Sequence, residues 1–161
     1  MRSEAEAARA IDLYADTVKR ICMVHVKNEA DTEDIFQTVF LKYVLHTDAF
    51  ASPAHEKAWI ITVTVNACRD LLRSVFRKKT VPLEKVKEKP GEEEADHSDV
   101  LEAVLSLPEK YKDAVYLYYY EGYSAEEIGG ILGKKTNTVY TLLARARQML
   151  RVKLEGVTDD E

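Results

Sequence analysis

The side chains of this 161-residue chain that most readily do covalent chemistry are few and scattered. His25, His46, His55 and His97 do not pair with a cysteine or carboxylate at ligand spacing. No glycine-rich phosphate loop is present, and no Ser or Cys sits in a nucleophile motif. Cys22 and Cys68 lack metal or redox spacing, and they read as core thiols of a reduced, cytoplasmic protein. The carboxylates from Asp31 to Asp34 suit the solvated start of a helix better than a metal site. The sequence therefore predicts no catalytic residue, no metal and no cofactor; the chain does not read as an enzyme. Its chemistry is that of recognition. Asn137, Tyr140 and Thr141 fall on one exposed side of a C-terminal helical pattern, where they can meet base edges. Arg145 and Arg147 flank them within reach of phosphates, and Arg69 and Arg73 form a second basic group beside Arg77, Lys78 and Lys79.

Charge as a whole gives a weaker signal. The net charge is −5, with 12 Lys+Arg against 11 Asp+Glu in residues 1–80 and 11 against 17 in residues 81–161. Much of the acidic excess lies in "EEEADHSD" (Glu92 to Asp99) and in the terminal "TDDE", away from the basic groups. Local patches decide nucleic-acid binding, so an acidic total does not exclude it.

The elements that must position these residues are helical. Only 6 Gly and 4 Pro punctuate the chain, 46% of it is hydrophobic, and three- and four-residue periodicity dominates. The fold class is all-α: two small helical domains, residues 1–79 and 98–155, joined by an acidic flexible linker over 80–97. No run of about 18 apolar residues exists, and "MRSEAEAARA" is polar, which argues against a membrane span or signal peptide.

The spacing predicts a first helix from about Ala5 to Val26, with Ala8, Ile11, Ala15, Val18 and Cys22 on its inner face. The stretch "KNEAD" breaks it. A second helix is expected near "DTED", capped by Thr32, with Ile35, Val39, Leu41 and Tyr43 giving it apolar faces. Glu33, Asp34 and Gln37 lie within about one turn of each other and form one polar patch. Ser52-Pro53 caps a third helix running to about Arg77. Within it "WIITVTV" is β-branched and alone would suggest a strand, but it continues without a turn into "NACRDLLRSVFRKK", so a helix is predicted. Beyond the linker, helices are expected over Ser98 to Ser106, Pro108 to Tyr120, Ser124 to Leu132 and Thr136 to about Leu154.

The last two form a distinct pattern. Ser124-Ala-Glu-Glu127 is a capping box, and Gly133 permits the left-handed turn that ends the helix. In the helix from Thr136, Val139, Leu142, Leu143, Ala146, Met149 and Leu150 share one face, and Asn137, Tyr140, Thr141, Ala144 and Gln148 the other. A helix-turn-helix that sends its second helix into a major groove fits this spacing. A helical hairpin with a solvated polar face fits it equally well.

At this point the residues resemble a family. "LPEKYKDAVYLYYYEGYSAEEIGGILGKKTNTVYTLLARARQML" is similar to the C-terminal domain of bacterial extracytoplasmic-function sigma factors. The likeness lies in Leu107-Pro108, the tyrosine-rich helix, Ser124 to Ile128, Thr138-Val139 and Arg145-Ala146-Arg147. "DTEDIFQTVFLKYV" resembles that family's core-polymerase-binding helix, and "AWIITVTVNACRDLLR" its promoter-melting helix, through Trp59, Asn66, Arg69-Asp70 and Arg73. The resemblance implies a factor without chemistry of its own, whose partners are core RNA polymerase and promoter DNA, with an anti-sigma factor as a further candidate. By the same resemblance Glu33, Asp34 and Gln37 would meet polymerase, and the loop "HTDAFASPAHEK" with Phe50, then Trp59, Asn66, Arg69 and Arg73, would serve melting at the minus-ten element. Asn137, Thr138, Tyr140, Thr141, Arg145 and Arg147 would dock on the minus-thirty-five element.

The sequence departs from the family at four positions. Thr62 and Val65 after the Trp, and Tyr140 and Leu142 after the Thr-Val pair, stand where basic residues are usual. Each lost cation is expected to remove a phosphate contact and its counterion release. A sigma-like interaction protein without useful DNA affinity is therefore the competing reading.

Overall fold

Capping residues set where the helices start, and the caps differ in part from those the sequence suggests. The computed structural model describes residues 1–77 and 99–159, and among these every regular element is helical. The chain divides into two compact units, Met1–Glu93 and Glu94–Glu161. The linker expected over 80–97 lies outside the described residues, as do Lys78 and Lys79 of the basic cluster.

In the first unit, α1 (Glu4–His25) opens on a capping box and starts one residue before the expected start near Ala5. Ser3 Oγ accepts from the Glu6 amide at 3.1 Å, and the Glu6 carboxylate accepts from the Ser3 amide at 2.9 Å. The break to α2 (Glu29–Leu45) is shorter than expected. Lys27 turns the chain at φ 54°, and Asn28 is then extended and caps α2, accepting from the Asp31 amide at 2.8 Å. Thr32, expected as the cap, is already inside the helix; its hydroxyl donates to the Asn28 carbonyl. The Ser52-Pro53 start of α3 (Pro53–Arg77) holds, with Ser52 Oγ accepting from the His55 amide.

These three helices pack on one another around Val18, Ile21, Cys22, Ile35, Val39, Ile60, Ile61, Val65 and Cys68. The buried stripe of α1 is Ala10, Tyr14, Thr17, Val18, Ile21, Cys22 and His25. It is rotated from the expected one: Ala8 is exposed, and Ile11 and Ala15 are half-buried. Tyr14 explains the rotation, because it is buried to reach a carboxylate 42 residues away. Leu41, expected on an apolar face, is 59% exposed. "WIITVTV" is helical within α3. Burying Ile60, Ile61 and Val65 at about 1.5–3 kcal/mol each outweighs strand preferences spanning about 1 kcal/mol. The threonine hydroxyls are satisfied in place, Thr62 donating to Ala58 and the buried Thr64 to Ile60, four residues back. The thiols of Cys22 and Cys68 meet between α1 and α3, hydrogen-bonded to one another and fully buried.

The second unit comprises α4 (Asp99–Leu105), α5 (Glu109–Val115), a π-helical turn (Tyr116–Tyr120), α6 (Ala125–Leu132) and α7 (Thr136–Asp159). Helices α4, α5 and α6 all pack on α7, around Leu117, Ile128, Val139, Leu143 and Ala146. The continuous helix expected from Pro108 to Tyr120 instead widens at the tyrosine run. There Tyr116 and Tyr120 stack at 5.2 Å, Tyr116 donates to Glu121 at 2.6 Å, and Tyr118 to Tyr120 remain exposed.

Candidate nucleic-acid interface

In the second unit the exposed surface of α7 is aimed by the turn before it. Ser124 and Glu127 form both bonds of the expected capping box, at 3.1 and 2.9 Å. Gly133, at φ 70°, ends α6 in the left-handed conformation. Gly129 matters as much, although no local sequence pattern marks it. A Cβ there would lie 2.6 Å from the Lys134 carbonyl oxygen, so only glycine lets the turn fold back this closely. The Lys134 amide donates to the Gly129 carbonyl at 2.9 Å, which fixes the entry angle of α7.

The sides of α7 separate as expected. Val139, Leu142, Leu143 and Ala146 are buried, whereas Asn137, Thr138, Tyr140, Thr141, Arg145 and Arg147 are all exposed. Asn137, Thr141, Ala144 and Gln148 line one stripe at three- and four-residue steps. Thr138 and Arg145 flank it on one side, Tyr140 and Arg147 on the other. Two details go beyond the sequence. The Thr141 hydroxyl donates to the Asn137 carbonyl at 3.1 Å, which leaves it an acceptor toward a partner. Arg147 Nη1 donates to the Tyr119 hydroxyl at 2.8 Å, tying that flank to the π-helical turn. Lys134 and Lys135 add two cations at the entrance to the helix, where no pattern in the sequence marks them as part of a surface.

In the first unit, α3 carries Trp59, Asn66, Arg69 and Arg73 on one side. Asn66 and Arg73 are exposed and Arg69 is half-buried. Arg73 pairs with Asp70 at 3.4 Å across two well-exposed side chains, so water and phosphate can compete for it. Phe50 and Trp59 are both half-buried and belong to one aromatic cluster. Phe50 lies 5.7 Å from Trp59, 6.2 Å from Tyr43, 5.3 Å from His46 and 5.4 Å from His55, and His46 lies 4.6 Å from Trp59. The loop is fastened from within, as the Ala51 amide donates to His55 Nδ1 at 2.9 Å.

Beneath this loop is an open cleft lined by Arg2, Arg9, Tyr43, Phe50 and Glu56. Glu56 is its buried anchor. Its carboxylate accepts from Tyr43 at 2.7 Å and Tyr14 at 2.9 Å, with Arg9 at 3.4 Å. Burial pushes this carboxyl up, but the bonds from Tyr43, Tyr14 and Arg9 outweigh burial and hold it below its ordinary value. Burial and the bond to Glu56 push the Tyr14 hydroxyl up to about 12.

On α2, Glu33, Asp34 and Gln37 are exposed together as expected. The stripe continues toward the helix end through Leu41, expected on an apolar face, and Leu45, which are 59% and 58% exposed.

Of the four departures, two change meaning. Val65 and Leu142 are buried core residues, so no phosphate contact is lost at either. The half-buried Thr62 and the 59% exposed Tyr140 remain as surface positions without charge.

The family model for sigma-70 region 2 matches residues 10–78, and that for sigma-70 region 4 matches residues 97–150. The RNA polymerase sigma factor SigV of Bacillus subtilis is 31% identical over 84% of this chain and 82% of its own length. This chain belongs to the extracytoplasmic-function sigma factors of the sigma-70 family. The SigE sigma factor of Mycolicibacterium smegmatis is 32% identical over 86% of this chain and 57% of its own length. In fold, the chain is similar to the sigma factor RpoE of Bartonella quintana (TM-score 0.72, 23% identity, 92% of this chain and 96% of that one). As a sigma factor it acts in directing transcription initiation, and its two family regions lie in the two compact units. No helix among the described residues is long and apolar enough to cross a membrane.

Proposed function

We propose that this sigma factor binds core RNA polymerase through α2, docks α7 on the minus-thirty-five element and opens the minus-ten element with α3 and the loop before it. Residues 1–79 form the polymerase and minus-ten domain, 98–155 the minus-thirty-five domain, and 80–97 the acidic tether. Glu33, Asp34 and Gln37 give α2 its polar contacts, with Leu41 and Leu45 extending the surface. Asn137, Thr138, Tyr140 and Thr141 read base edges; Arg145 and Arg147 hold backbone. Phe50 and Trp59 offer stacking surface to an unpaired base, and Asn66, Arg69 and Arg73 guide the strand. An anti-sigma factor, the kind of protein with which the Bartonella quintana factor was solved, is the third partner.

The observation that supports this best is the exposed stripe of α7, uncharged along its centre and flanked by arginines, which suits base readout bordered by phosphate contacts. With few cations on this face, the isolated C-terminal domain binds its site weakly, and polymerase raises its effective concentration. Run-off transcription with purified core polymerase on a genomic fragment library tests the proposal. Discrete start sites that require this protein support it, and their absence refutes it.

A further inference from the structure

Arg2 precedes the capped start of α1, yet every partner it has lies more than forty residues away or on the first turn of its own helix. Its backbone amide donates to the Val44 carbonyl at 2.9 Å. Its Nε donates to the Tyr43 carbonyl at 3.2 Å, and its Nη2 to the Asp48 carbonyl at 2.7 Å. Nη1 lies 4.0 Å from Glu6, and the side chain is only 12% exposed. The guanidinium sits 4.8 Å from the centre of the Tyr43 ring and 5.0 Å from that of Phe50.

The chemistry of this placement is specific to arginine. Tyr43 and Val44 lie in the last turn of α2, where a cation is favoured, and the Tyr43 carbonyl accepts from the His46 amide at 3.2 Å as well as from Arg2. Asp48 belongs to the loop that follows, so one planar fork joins the end of a helix to the middle of the loop. The same plane covers Phe50, which carries no hydrogen bond to hold it. A lysine would keep the charge but present a single point without the fork or the stacking plane.

We infer that Arg2 is a positioning residue for promoter opening: it holds the loop bearing Phe50 in the shape that meets the unpaired strand. This rests on the reading of the Phe50 loop given above. Arg2 acts through the loop and touches DNA at no step.

The test uses the full chain with core polymerase and three variants: Arg2→Ala, Arg2→Lys and Phe50→Ala. Permanganate reactivity measures opening, and duplex promoter binding is measured alongside. Trp59 is the only tryptophan and abuts Phe50, so acrylamide quenching of its fluorescence reports loop shape in the free protein. Both Arg2 variants should reduce opening roughly tenfold, the equivalent of about 1.4 kcal/mol, while duplex binding stays unchanged and Trp59 becomes easier to quench. Wild-type opening by Arg2→Lys overturns the inference, because charge alone would then suffice. Defective opening by Phe50→Ala beside normal opening by Arg2→Ala overturns the inference and leaves the loop reading standing. Normal opening by Phe50→Ala removes the loop reading itself, and this inference with it.

Discussion

Replacing Glu56 separates what its charge contributes from what its shape contributes. The carboxylate accepts from two buried hydroxyls, Tyr43 at 2.7 Å and Tyr14 at 2.9 Å. Hydrogen bonds to a charged acceptor contribute about 1.5–3 kcal/mol each. The Arg9 pairing adds little, because that guanidinium is half exposed at 53%. Glu56→Ala removes both strong bonds and strands two tyrosine hydroxyls, so it should destabilise the first unit by about 3–5 kcal/mol. Glu56→Gln retains an acceptor and the volume, and it should cost about 1–2 kcal/mol. Urea unfolding followed by Trp59 fluorescence reads this unit, and the Ala variant should shift the midpoint by roughly 2 M. The acid limb supplies an independent check. The folded carboxyl lies below its ordinary value, so the unfolded chain takes up the proton first as pH falls. The stabilisation is whole above about pH 4.3 and disappears as pH falls through the folded value, where wild type and Glu56→Gln converge. A Glu56→Ala midpoint within a few tenths molar of wild type would refute this reasoning, as would a Gln difference that persists unchanged in acid.

Three further outcomes are expected. Gly129→Ala should destabilise the second unit by about 1–3 kcal/mol, because its Cβ meets backbone that cannot yield easily; amide exchange in α6 and α7 reads it, and wild-type protection there would contradict the close approach. Asn137→Ala should relax preference at one promoter position by about 1–3 kcal/mol, whereas Arg145→Ala should weaken all promoters alike and flatten the salt dependence. Asp34→Ala combined with Gln37→Ala should weaken polymerase binding in a pull-down with helical content unchanged, and full retention would remove α2 from that role.

What the sequence reveals follows the range over which each residue acts. The box at Ser124, the turn at Gly133 and the two sides of α7 depend on neighbours within four residues, and the sequence shows them directly. The burial of Cys22 and Cys68 also follows from their place on apolar stripes. Tyr14 and Arg2 behave otherwise. Their hydrogen-bond partners lie 41 to 46 residues away, so no local pattern marks them, and the inner face of α1 is misjudged as a result. Asn28 and Thr32 are both able caps; what decides between them is the left-handed Lys27 before Asn28, which an ordinary lysine does not announce. Five consecutive residues rich in tyrosine satisfy an α-helix as readily as the wider turn they adopt. At the candidate interface, residue identity shows only which side chains carry charged or hydrogen-bonding ends. Only packing distinguishes Val65 and Leu142, which are core, from Thr62 and Tyr140, which are not.

The adjoining thiols of Cys22 and Cys68 give the first unit an internal gauge of its own breathing. Neither sulfur is accessible while α1 and α3 are together, and both are reached by the same separation. An alkylating reagent therefore reacts only with molecules that have opened at this seam. When closing outpaces alkylation, the observed rate divided by that of a free thiol is the equilibrium constant for opening. A partner that clamps the three helices lowers this ratio by the same factor as it stabilises the closed form, so its grip on the first unit can be weighed with no label, no DNA and no transcription.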